Sequence, residues 1–274
     1  MHYFEFKNQK LPLNGQTAVM GILNITPDSF SDGGLHFAPK AAVQAAEQMK
    51  SCGAAWLDLG AQSTRPGHTP AVTAGEEWER LEPVLKPVLA LGLPVSVDTF
   101  YPEVAQLALQ AGCHIINDVS GTLSPEMGQV VARHGAGWVL MHAGTNTAQP
   151  NIAAEVHGWF LKALQTVSQF GLRPAQICLD PGIGFGKTRQ QDLNLIANTN
   201  LVKVPGVAYL MAASRKRVIA FADGQQTAPD RRDAGTTAAH TIAAFLGADF
   251  VRAHNCFEAC QAARVLNALK LAKI

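Results

Sequence analysis

Along the chain, one alternation of apolar and polar positions recurs. A short β-branched or aliphatic run gives way to a polar or glycine-containing turn, and the turn to an amphipathic stretch of helical period. The runs are residues 18–23, 56–60, 95–98, 114–117, 138–141, 177–180, 207–211 and 250–252. Helical stretches separate them, among them 39–52, 75–91, 102–111 and 152–170, several ending near a glycine such as Gly53, Gly92, Gly112 or Gly171. Strands alternating with helices pair in parallel through right-handed crossovers. Eight such units in 274 residues predict an α/β fold, a closed (β/α)8 TIM barrel, in preference to an open doubly wound sheet. Before the repeat, residues 2–13 alternate as two short strands around Asn8-Gln9. They predict an N-terminal hairpin, within residues 1–17, laid across one end of the core. No proline-rich linker, charge block or low-complexity tract divides the chain, so residues 1–274 read as a single domain.

The polar positions are more informative than the apolar ones. Each run reads as apolar until its last residue or the turn after it. There stand Asn24, then Ser63-Thr64-Arg65, Asp98-Thr99, Asn117-Asp118, His142, Asp180, Ser214-Arg215-Lys216, and Arg252 with His254. A barrel gathers all its strand C-termini on one rim, so these groups would converge although far apart in sequence. Helix capping or turn formation would account for any one Asp, Asn or Ser among them, Thr99 or Ser120 included. It does not account for Lys216, Arg252 and His254 joining three carboxylates and two asparagines. Arg65, Arg252, His254 and Lys216 supply donors and positive charge for an anionic ligand. Asp98, Asn117 and Asp180 supply acceptors for a donor-rich, guanidine-like ring edge, and Asn24 offers a hard oxygen to Mg²⁺. Together they point to a heterocycle carrying a phosphate ester.

The stretch Asp180-Pro-Gly-Ile-Gly-Phe-Gly-Lys187-Thr188 approximates a phosphate-cradling P-loop, but Pro181 stands where the first glycine is required. The remaining reading is a tight loop that folds Phe185 over the site beside Asp180.

Composition narrows the classes. Hydrophobic residues are 47% and aromatics 7%, so the core is aliphatic. A net charge of +1, with no basic run longer than Ser214-Arg215-Lys216-Arg217, argues against nucleic acid as a partner. No apolar run is long enough for a membrane span, and the N-terminus has no apolar signal core. Five scattered cysteines (Cys52, Cys113, Cys178, Cys256 and Cys260) read as free thiols of a reducing, cytoplasmic compartment.

Longer motifs carry a resemblance. Met20-Gly-Ile-Leu-Asn-Ile-Thr-Pro-Asp-Ser-Phe-Ser-Asp-Gly-Gly34 and Leu57-Asp-Leu-Gly-Ala-Gln-Ser-Thr-Arg-Pro-Gly67 resemble the two signatures of the dihydropteroate synthase family of pterin-binding barrels. Ser96-Val-Asp-Thr99, Ile116-Asn-Asp118, Leu140-Met-His142, the 180–187 loop, Ser214-Arg-Lys216 and Val251-Arg-Ala-His254 are similar in the same order. The resemblance implies condensation of p-aminobenzoate with 6-hydroxymethyl-7,8-dihydropterin pyrophosphate, with Mg²⁺ as cofactor. It implies that Asn24 binds the metal and, with Arg65, Arg252 and His254, the pyrophosphate. Asp98, Asn117, Met141, Asp180, Lys216 and Arg252 would hold the pterin, with Asp98, Asp180 and Lys216 closest to the chemistry. Phe30, Thr64, Pro66, Phe185, Lys216 and Arg217 would line the p-aminobenzoate pocket. Residues 26–37 and 63–75 would close as lids that exclude water. A homodimer is the implied assembly, with the apolar C-terminal helix 256–271 as one hint.

The chain departs from the family pattern at four places. Arg217 stands where a small hydroxyl residue is usual, and is expected to pair with the p-aminobenzoate carboxylate or to point to solvent. Ala212-Ala213 replaces a segment that more often carries glycine, the stretch 143–150 is short, and His254-Asn255 replaces His-Asp. Three other readings compete: a pterin-dependent methyltransferase domain, a non-catalytic ligand-binding relative and a Schiff-base aldolase using Lys216.

Overall fold

The computed structural model describes residues 2–25, 38–62, 72–144 and 151–272. Its strands are β1 (His2–Phe6), β2 (Gln9–Leu13), β3 (Ala18–Asn24), β4 (Trp56–Gly60), β5 (Val95–Asp98), β6 (Ile115–Asp118), β7 (Gly137–Met141), β8 (Ile177–Asp180), β9 (Ala208–Met211) and β10 (Phe250–Ala253). Between and after them lie α1 (Ala38–Cys52), α2 (Ala74–Leu89), α3 (Pro102–Gln110), α4 (Pro125–Arg133), α5 (Ile152–Ser168), α6 (Arg189–Ala197), α7 (Thr199–Val202), α8 (Arg217–Asp223), α9 (Asp233–Phe245) and α10 (Cys256–Leu271). Strands β3 to β10 pair in parallel, each with its successor, and β10 returns to β3 to close the barrel. Closure excludes the open sheet.

The hairpin forms one residue earlier than its sequence suggests. Phe6 pairs with Gln9, so Lys7-Asn8 is the turn and Lys7 takes φ +50°. Tertiary contacts decide this: the Lys7 amide donates to Gly135 O and its ammonium to Leu109 O. Phe4 and Phe6 are thereby buried against Met20, Trp56, Ile115, Val139, Cys178, Leu210 and Phe250, which fill the N-terminal end of the barrel.

Period-two alternation explains what lies above that plug. Strand residues of one parity (Leu57, Val97, Ile116, Leu179) pack outward on the helices. Those of the other parity point inward, apolar in the lower layer and polar in the upper, as in Trp56 then Asp58, Ile115 then Asn117, and Phe250 then Arg252. The strands are therefore not apolar to their last residue: Asp58 and Ser96 are buried in mid-strand. All five cysteines are free. Among the described residues, no helix is long and apolar enough to cross a membrane.

Candidate active site

The upper inward layer forms a polar cup at the strand C-termini. Its centre is an ion cluster. The Arg252 guanidinium donates through Nε to Asp58 Oδ2 at 2.7 Å and through Nη2 to Asp98 Oδ2 at 2.8 Å. Asn117 Nδ2 donates to the same Asp58 oxygen at 3.0 Å, and Ser96 Oγ donates to Asp58 Oδ1. Asp58 is thus saturated on all sides at 0% exposure. Polarity at strand ends does not reveal Asp58, which stands in mid-strand. The signal available was a charge in the middle of the buried run Trp-Leu-Asp-Leu-Gly.

Two acceptors are left over. Among the described residues, Asp98 Oδ1 and Asn117 Oδ1 are buried without a hydrogen-bond partner. Asn117 presents its oxygen because its nitrogen is committed to Asp58. An orphaned buried acceptor costs about 1–3 kcal/mol, a cost a donating ligand would relieve. Burial pushes the Asp98 carboxyl up to about 7, with Arg252 opposing and the Asp58 charge reinforcing. Burial also raises Asp180, against the pull of Lys216, and Asp180 Oδ1 accepts from the Gly182 amide at 2.7 Å. The Lys216 ammonium is lowered to about 8 by burial, which Asp180 partly offsets. It lies 4.8 Å from the centre of the Phe185 ring. Met141 is buried beside Asp180 in the β7–β8 register.

At the rim, Asn24 ends β3 next to Gly60. A Cβ placed on Gly60 would lie 3.8 Å from Asn24 Oδ1 and 3.9 Å from Asp98 Oδ2, so glycine keeps this oxygen-lined gap open. Among the described residues no group of three or more His, Cys, Asp and Glu is placed to hold a metal ion. A single amide oxygen does fit Mg²⁺, which takes few protein ligands and completes its shell with water and substrate phosphate. His254 Nδ1 lies 2.9 Å from Ser214 Oγ, which also accepts the His254 amide.

Some expected members lie elsewhere. His142 is buried edge-on against Trp159 of α5, outside the cup. Arg215, at φ +57°, turns to a bidentate pair with Asp233 at 2.7 Å. Arg217 is exposed as the first residue of α8. Asn255 caps α10 and also donates to Asp233 at 3.3 Å. Phe30, Thr64, Arg65 and Pro66, and the proposed lids apart from residues 72–75, lie outside the described residues.

The 180–187 loop is ordered by glycine. A Cβ on Gly182 (φ +69°) would sit 2.0 Å from His142 O, and one on Gly186 (φ +64°) 2.0 Å from Gly144 O. Only glycine admits this crossing of two loops.

A family model described as pterin binding enzyme matches residues 20–254. Dihydropteroate synthase of Mycobacterium leprae (strain TN) is 40% identical over 263 residues, covering 91% of this chain and 92% of that protein. The fold is similar to dihydropteroate synthase of Xanthomonas albilineans with 4-aminobenzoic acid, with TM-score 0.91, 38% identity and 98% of each chain covered. It is also similar to the same organism's enzyme in complex with 7,8-dihydropteroate, with TM-score 0.89, 36% identity and 98% of each chain covered.

Proposed function

This chain belongs to the pterin binding enzymes, the family of the dihydropteroate synthases, and from that membership we propose that it is a transferase joining p-aminobenzoate to 6-hydroxymethyl-7,8-dihydropterin pyrophosphate. The observation that carries this reading is the pair of orphaned acceptors, Asp98 Oδ1 and Asn117 Oδ1, in a cup that also holds Asp180, Lys216 and Arg252. A pterin edge is rich in N–H groups and would donate to these oxygens, while Lys216 would donate to a ring acceptor. Met141 and Arg252 would flank the ring. Arg252 Nε and Nη2 already serve carboxylates, so its contact to pyrophosphate falls to Nη1.

Asn24, Arg65 and His254 complete the proposed pyrophosphate grip. Mg²⁺ at Asn24 would neutralise the leaving group as a Lewis acid. As the carbon–oxygen bond breaks, the electron pair leaves with pyrophosphate and positive charge develops on the exocyclic pterin carbon. Asp98 and Asp180 face that charge from fixed positions, where a preorganised anion is worth most. The aryl amine then bonds to this carbon and loses a proton to solvent. Phe30, Thr64, Pro66, Phe185, Lys216 and Arg217 would orient it, so the step needs positioning and neither a covalent nucleophile nor an essential general base. Arg217, exposed at the start of α8, would pair with the p-aminobenzoate carboxylate.

We further propose that the chain acts as a homodimer, supported by exposed apolar side chains on neighbouring α9 and α10, including Ile242, Phe257, Val265 and Leu269. The deciding measurement of the reaction is pyrophosphate release from the pterin pyrophosphate, with and without Mg²⁺ and p-aminobenzoate. Dihydropteroate formed only when both are present supports the reading. Pterin binding with no release under any condition refutes it in favour of a binding protein.

A further inference from the structure

Lys187 is the one cation of the 180–187 loop, and the reaction above gives it no task. It is 6% exposed, and all three of its ammonium protons have carbonyl partners: His142 O at 2.8 Å, Gly182 O at 3.0 Å and Phe185 O at 3.2 Å. A P-loop lysine reaches outward to phosphate. This one is spent inward. Its three acceptors come from two loops, one after β7 and one after β8, which are otherwise joined here by the Gly144 amide donating to Phe185 O at 3.1 Å. The glycines at 182 and 186 let these backbones approach closely enough for one ammonium to span them.

Two side chains of the cup touch that junction. Gly182 holds Asp180 through its amide, and Phe185 carries the ring that packs on Lys216. We propose that Lys187 is a positioning residue for the p-aminobenzoate half of the site: its ammonium fills a three-carbonyl cage that pins the 180–187 loop to the end of β7 and so holds Phe185 against Lys216. This inference rests on the reading of that half-site given above. The cage is an ammonium site in its own right. Removing the side chain beyond Cβ leaves a space whose walls accept three N–H bonds, matched by a primary alkylammonium and not by a neutral alcohol.

Steady-state kinetics on wild type, Lys187→Met and Lys187→Ala test this. Losing hydrogen bonds from a charged donor predicts a KM for p-aminobenzoate raised about tenfold in both variants. The KM for the pterin pyrophosphate should rise less, because Asp98, Asn117 and Arg252 stand on strands away from the junction and only Met141, Asp180 and Lys216 adjoin it. n-Propylammonium replaces the atoms from Cγ to Nζ and brings the Lys187→Ala KM back toward wild type, whereas n-propanol does not. An unchanged p-aminobenzoate KM in Lys187→Met overturns the proposal. Equal recovery by n-propanol also overturns it, since the side chain would then be only a space filler.

If Lys187→Ala does not fold, Lys187→Met carries the kinetic test alone. Hydrogen exchange on the ligand-free protein separates this inference from the reaction. The amides of Gly144 and Phe185, bonded to Phe185 O and Gly182 O, should exchange roughly tenfold faster in Lys187→Met. Unchanged protection there sinks the cage. A wild type that forms no p-aminobenzoate-dependent product sinks the reaction reading instead, and exchange then judges Lys187 by itself.

Discussion

The two ends of the barrel are built from the same strands and do opposite work. At the N-terminal end, Phe4 packs on Phe6, Trp56 and Phe250 with ring centres 5.4, 5.8 and 6.1 Å apart, and apart from Ser96, two residues before Asp98, the layer is apolar. Two residues further along the same strands, the inward positions become Asp58, Asp98, Asn117, Asp180 and Arg252. One end stabilises by burying area. The other carries desolvated charges and orphaned acceptors, which lower stability and await a ligand. The contrast teaches that stability and function are separated here by about 7 Å of strand, two residues of rise.

The strongest way to break the comparison is at the plug. Phe4→Ala should cost about 3–5 kcal/mol in urea unfolding while leaving kcat/KM of the folded fraction nearly unchanged. A large loss of specific activity with intact stability would show that the ends are not independent.

Asp98→Asn is the converse. It should lower kcat/KM by roughly two to three orders of magnitude with the unfolding temperature little changed, since the asparagine oxygen can still accept from Arg252 while a buried carboxylate is lost. A stability loss comparable to that of Phe4→Ala would contradict the assignment of Asp98 to function.

Asp58 sits at the seam and should show both effects. Asp58→Ala leaves the Asn117 amide free to turn and takes one of two carboxylates from Arg252, costing about 3 kcal/mol and about tenfold in kcat/KM. Asp58→Asn should restore most of both, because its oxygen still accepts from Arg252 and Asn117 while its amide faces the Ser96 hydroxyl. Equal damage from the two variants would mean that charge, not hydrogen-bond geometry, is what Asp58 supplies.

Stability and binding should also depend on pH, with opposite signs. The folded Asp98 carboxyl holds its proton up to about 7, against 3.8 for the ordinary group, so folding takes up a proton between these values. Its contribution to stability therefore falls as pH rises through that window, by at most about 1.4 kcal/mol per pH unit. Glu77, also raised to about 7 by burial, adds the same sign. In the proposed site pterin donors would need the ionised Asp98, so pterin affinity should weaken as pH drops below about 7. Unfolding temperature against pH, wild type minus Asp98→Asn, isolates the share of Asp98. A flat difference curve removes the raised carboxyl from the account.

The repeat, and with it the barrel, was legible from periodicity, because each unit satisfies its own local pattern. Asp98, Asn117, Asp180, Lys216 and Arg252 were legible as a set because a parallel barrel brings strand ends together whatever their sequence separation. The hairpin turn came out one residue off because contacts with Gly135 and Leu109, distant in sequence, hold Lys7 in a conformation its own residue type disfavours. His142 and Arg215 share the polarity of the site residues, yet packing on Trp159 and pairing with Asp233 take them away from it.

By itself, then, the sequence determined the period of the elements, the closed arrangement they favour and the chemical types gathered at one rim. The tertiary structure alone decided which way each polar group faces. Asp58 shows the physical reason. A charge in the middle of an apolar strand has no local partner, and its meaning appears only when Arg252, 194 residues away, closes on it across the barrel.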